Sequence, residues 1–170
     1  MITPPLILSQ GIEKEAAIFF NSLRQKNFPP SRNYIDAHLS LFHALPNNAA
    51  IIEYIEDVCR LQKPFSLRVE KPVSIGKGVA FKIESDELLH LHRTLQNKWF
   101  NFLSPQDRQK LWPHITVQNK VPLPEARELL NELTVSFTPY SLLATGLQLW
   151  EYLNGPWKLV RDFYFQLPGL

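Results

Sequence analysis

Cysteine is almost absent: Cys59 is the only one in 170 residues. That excludes an internal disulfide framework and every metal motif built on two cysteines, and it fits a reducing compartment. An excess of charge of either sign is also lacking. Eighteen Lys and Arg against 16 Asp and Glu leave a formal net charge of +2, so no whole-surface positive field of the kind non-specific nucleic-acid binders use is expected. A phosphate ligand would have to be met by a local site. Long apolar runs are missing too. The uncharged stretch from Thr134 to Trp150 is interrupted by Pro139, Gly146 and several hydroxyls, which points to strands and against a membrane span. Met1 to Gln10 has no basic region and only a three-residue apolar run, so no secretory signal and a cytoplasmic location are expected.

Several reaction classes lack their apparatus. There is no Gly-x-Ser-x-Gly elbow and no Gly-x4-Gly-Lys-[Ser/Thr] loop, and Gly76-Lys77-Gly78 lacks the third glycine and following helix of a dinucleotide fingerprint. The five histidines, at 38, 43, 90, 92 and 114, form no His-x3-His helix pair with a completing carboxylate, so neither a zinc site nor a cofactor is expected.

What remains suits a folded domain. The length is close to one ordinary unit, and 45% apolar with 20% charged residues provides for a core. Helical spacing of apolar residues occurs four times. The stripes are Ile12, Ala16, Phe19, Phe20, Leu23; then Ile51, Ile55, Val58, Cys59 behind a cap at Asn47 or Asn48; then Leu88, Leu91, Leu95, Trp99, Phe102; then Ala126, Leu129, Leu130, Leu133 after Pro124. Cys59 therefore reads as core. Period-two alternation marks strands around Phe65 to Val69, Val79 to Ile83 and Trp157 to Phe163. An offset of 76 residues carries the first stripe onto the third, and Val79, Phe81 and Ile83 onto Gly155, Trp157 and Leu159. The expectation is an α+β fold of two pseudo-symmetric lobes spanning 1–170, with halves of roughly 10–84 and 85–168.

The same offset maps His38 onto His114. Each opens a similar pattern, His38-Leu39-Ser40-Leu41 and His114-Ile115-Thr116-Val117. In a strand, residues i and i+2 share a face, so imidazole and hydroxyl stand together while the apolar neighbours enter the core. With 16 Ser and Thr in the chain, a hydroxyl follows any one histidine at this spacing by chance roughly 9% of the time. Requiring both apolar flanks on two of five histidines lowers this to roughly 0.4%. His92-Arg93-Thr94 repeats the spacing inside a predicted helix, where residues two apart do not face the same way, and is set aside. Strand parity puts His43 on the face opposite His38. His90 reads as helix surface and His92 as the flank of a helix core, while Trp99, Trp112, Trp150 and Trp157 could stack on a base, although packing is the commoner fate of tryptophan. Lys77 and Lys120 read as solvated.

These two motifs, their separation and the repeated layout resemble the 2H phosphoesterase superfamily, in its 2'-5' RNA ligase-like branch. The resemblance runs from about Ala37 to Leu167, including Pro113-His114-Ile115-Thr116-Val117 and the stretches Leu147 to Leu149, Trp157 to Val160 and Phe165 to Leu167. Ser40 stands where the family most often has threonine, a change that keeps the hydroxyl. The resemblance implies two antiparallel sheets enclosing a cleft, helices outside, and one motif from each lobe. It also implies hydrolysis of a 2',3'-cyclic phosphate or a 2'-5' linkage, of RNA ends or small nucleotides, to a monoester, with ligation as the reverse; a monomer working without metal or cofactor is expected. His38 and His114 would be the catalytic acid and base, in either order, and Ser40 and Thr116 would bind the phosphate. An imidazole titrating near pH 6.5 suits both roles. The alternative is a non-catalytic module of the same fold that grips phosphate or RNA ends.

Overall fold

The computed structural model describes residues 3–166. Leu167, the end of the second sequence half at 168, and Met1 and Ile2 lie outside the described residues. Among the described residues the order is β1 (Leu6–Ile12), α1 (Lys14–Asn27), β2 (Leu39–Leu45), α2 (Ala49–Leu61), β3 (Phe65–Ser74), β4 (Val79–Glu84), α3 (Asp86–Trp99), β5 (His114–Gln118), α4 (Leu123–Ser136), β6 (Tyr140–Tyr152) and β7 (Trp157–Tyr164). This is an α+β fold built on a curled antiparallel sheet.

The strands run β2-β1-β6-β3-β4-β5, with β7 also paired to β6. At thirteen residues β6 is long enough to serve both halves of the sheet. Tyr140 to Ala144 pair with β3, whereas Ala144 to Glu151 pair with β1 and Gly146 to Tyr152 with β7. The two expected sheets are thus joined by hydrogen bonds through one strand. Twist accumulates along such a path, and the sheet curls until its end strands, β2 and β5, lie against each other.

The order reads the same from both ends, so β1 and β4 hold corresponding places, as do β2 and β5, and β3 and β6. The offset pairing of Val79 to Ile83 with the Trp157 strand is therefore replaced by β4 with β1. β1 escaped the sequence reading for a physical reason. Leu6 to Gln10 are all buried, and a strand covered on both faces shows no alternation.

Helix α1 also differs from its predicted stripe. Ile12 closes β1, and the buried ridge is Ala16, Phe20 and Arg24, which leaves Phe19 43% exposed. Phe20 meets Phe81 of the sheet edge-on, with ring centroids 5.4 Å apart. Asn48 caps α2, its side chain accepting from Ile51 N at 3.1 Å. Ser85 caps α3 through Leu88 N at 3.2 Å. Burial pushes the Cys59 thiol up to about 12, as befits a core position. Phe102 belongs to a 3-10 turn (Phe100–Phe102) and is exposed, not part of the α3 stripe.

Candidate active site

Where β2 and β5 meet, a cavity of about 440 Å³ opens, and His38, Ser40, His114 and Thr116 all line it. His38 immediately precedes β2 and His114 begins β5, so each imidazole stands at a strand start with its hydroxyl two residues further along.

The two rings are held alike. His38 Nδ1 lies 2.8 Å from Asp36 O, and His114 Nδ1 lies 2.7 Å from Trp112 O. A carbonyl only accepts, so Nδ1 carries the hydrogen in both rings. Nε2 is then the atom that takes or gives a proton, and among the described residues it has no protein partner on either ring. Tryptophans pack on both. Trp157 lies 4.5 Å from His38 between ring centroids, and Trp112 stacks on His114 at 4.2 Å. Both tryptophans line the cavity.

Burial lowers both histidines. It brings His38 down to about 4, with the bond to Asp36 O partly opposing and the charges of Arg24, His114 and His43 adding to the fall. His114 is lowered by burial first and by the His43 charge, against the bond to Trp112 O. Ser40 Oγ and Thr116 Oγ1 have no hydrogen-bond partner among the described residues, so both hydroxyls are free to donate to an anion.

Arg24 braces the motif strands from behind. Its buried guanidinium donates through Nη1 to Thr116 O at 3.0 Å and through Nε to Asn33 Oδ1 at 2.8 Å, on the segment leading into β2. It also lies 4.0 Å over the Phe28 ring. Burial lowers it to about 10, with Asp36 pulling the other way.

His43 corrects the parity argument. It lines the same cavity as His38, because β2 carries a bulge. Ser9 pairs with Ser40 but Leu8 with Phe42, so Leu41 is the extra residue, and Leu41 and Phe42 are both buried. An inserted residue flips the alternation beyond it. The carboxylate of Asp107 pins the bulge. It accepts from His43 N at 2.9 and 3.0 Å, from Ala44 N at 2.9 Å and from His43 Nδ1 at 3.1 Å. Burial alone would raise Asp107, but these bonds lower it overall.

Neither His43 nor Asp107 was assigned to the site from sequence. Two adjacent apolar residues do not announce a bulge, and Asp107 lies 64 positions from the strand it holds. His92 does sit on α3, buried against Phe42 with Nε2 on Leu41 O at 3.2 Å. Thr94 turns away to His90 O, while His92 touches the cavity wall. His90 is exposed, and Lys77 and Lys120 are not among the lining residues. Among the described residues, no three His, Cys, Asp or Glu side chains are grouped to hold a metal ion, and no helix is long and apolar enough to cross a membrane.

A curled antiparallel sheet with outer helices and paired His-x-[Ser/Thr] strands facing one cavity defines a class, and the comparisons agree with it. The profile of the 2'-5' RNA ligase superfamily matches residues 12–156. Comparison with curated proteins finds no match. Among solved structures, the protein TT0787 of Thermus thermophilus superposes with a TM-score of 0.68 at 17% identity, over 97% of this chain and 100% of that one. E. coli LigT complexed with 3'-AMP gives 0.59 at 16% identity, over 97% and 99%. LigT complexed with phosphate gives 0.58 at 18% identity, over 99% and 100%. The chain belongs to the 2'-5' RNA ligase superfamily.

Proposed function

We propose that the protein is a metal-independent phosphodiesterase that opens 2',3'-cyclic phosphates, or cuts 2'-5' linkages, of RNA ends or small nucleotides, and that the reverse reaction gives 2'-5' ligation. The observation that carries this reading is the convergence of His38, Ser40, His114 and Thr116 on one cavity. LigT bound to 3'-AMP and to phosphate supports a nucleotide phosphate as the occupant.

In hydrolysis a water oxygen attacks phosphorus while one imidazole Nε2 takes its proton. The bond from phosphorus to one ribose oxygen breaks, and the other imidazole protonates that oxygen. Ser40 and Thr116 hydroxyls donate to the non-bridging oxygens as charge builds on them. The charge on His114 is one of the forces lowering His38. Two protons on the pair are therefore disfavoured, and in the one-proton state one imidazole serves as base and the other as acid. The single cysteine supports a reducing, cytoplasmic location.

The experiment is product analysis with a 2',3'-cyclic mononucleotide. Conversion to a monoester is expected. Saturable binding with no conversion would favour the non-catalytic module instead.

A further inference from the structure

We propose that His43 is a third phosphate-contacting residue of this cavity and that buried Asp107 is the positioning residue that aims it. The idea rests on the proposed function in taking a phosphate as the occupant. Neither residue belongs to the paired motifs, yet both line the same cavity as His38, Ser40, His114 and Thr116. The His43 side chain is 43% exposed and that of Asp107 1%, so the ring faces the open space and the carboxylate lies behind it.

Asp107 can only accept from His43 Nδ1, 3.1 Å away, which leaves Nε2 as the nitrogen available to a ligand. The backbone bonds from His43 and Ala44 fix the carboxylate, so the ring is oriented before any ligand arrives. A bare carboxylate on the wall of an anion site would repel its occupant. His43 stands between that carboxylate and the occupant, with Nδ1 bonded to Asp107 and Nε2 left for a phosphate oxygen, a bond that the charge of the anion strengthens. The other charged or titratable groups around the cavity are His38, His114, His92 and Lys110. Burial lowers the first three, and the exposed Lys110 contributes a cation at the rim. A histidine anchored on a buried carboxylate adds a further oriented nitrogen to that set.

The test is calorimetric titration of the full chain with inorganic phosphate, beside steady-state turnover of 2',3'-cyclic AMP. His43→Gln should weaken phosphate binding roughly tenfold or more, as loss of a charged hydrogen bond does, and should raise KM more than it lowers kcat. Asp107→Asn should weaken phosphate binding too, and on the His43→Gln background it should add little. In the wild type, phosphate should shift the His43 Nε2 resonance, a reading that does not depend on any variant folding. Phosphate binding by His43→Gln within twofold of wild type, or an unmoved His43 resonance, would overturn the inference. So would equal losses from Asp107→Asn in both backgrounds, or a wild type that binds no phosphate. Phosphate binding that needs His43 without any turnover of cyclic nucleotide would instead sink the functional reading and leave this one standing.

Discussion

At the scale of single residues, the proposed function asks unequal contributions of the four motif side chains. A positioned proton-transfer group contributes on the order of 10² to 10⁴ in rate, so His38→Ala and His114→Ala should each nearly abolish turnover. Ser40→Ala and Thr116→Val each remove one donor to the developing charge, and each should cost up to roughly 10² to 10³ in kcat. Thr94→Val is the control, because its hydroxyl is spent on the helix carbonyl of His90. Its kcat should match wild type. Protonation gives a second expectation. An unfolded histidine binds its proton below about pH 6.5, whereas His38 in the fold does so only near 4. Between those values the unfolded chain holds more protons, so stability should fall as pH drops from 6.5 towards 4. Melting temperatures across that range should show the loss, and His38→Gln should flatten it. Because both histidines are lowered, the kcat/KM optimum should lie on the acid side of 6.5. An optimum above 7 would contradict the charge states assigned here.

At the scale of elements, the cavity depends on how strands cross. Gly146 lies in β6 beside Gly11 of β1 and Tyr164 of β7. A Cβ there would stand 2.0 Å from Phe163 O, a backbone atom that cannot retreat without breaking the ladder. Gly146→Ala should therefore destabilise the protein by about 2 kcal/mol or more in chemical denaturation. Since β7 carries Trp157 against His38, KM should rise as well. A change below about 0.5 kcal/mol would mean that β7 is not seated against Gly146 as described. Elements also show where sequence reasoning succeeds. The α2 stripe with its cap at Asn47 or Asn48, and the α3 stripe as far as Trp99, were legible because one face of each helix meets solvent. The strand β1 was not, since burial on both faces erases the pattern. Nor was the bulge at Leu41, because hydrophobicity records that a residue is buried and not which way it points.

At the scale of the whole molecule, pseudo-symmetry was readable as a matched pair of His-x-[Ser/Thr] patterns, and this is why four cavity residues could be named from spacing alone. The rest of the cavity comes from positions with no local signature. Asp107 reaches β2 from the loop after α3, Trp157 arrives on a strand outside the palindromic order, and Arg24 crosses from α1 to β5. Such residues are brought together by the curl of the sheet, which is a property of all its strands at once. On the proposed function, this curl assembles a two-imidazole phosphodiesterase site that needs no metal. That function is tested most directly by the rate of opening of a 2',3'-cyclic mononucleotide in excess chelator, measured for wild type and for the folded His38→Ala/His114→Ala double variant. Full activity is expected in the wild type and none above background in the double variant. Activity that disappears with chelator and returns with a divalent ion, or that survives loss of both histidines, would contradict it.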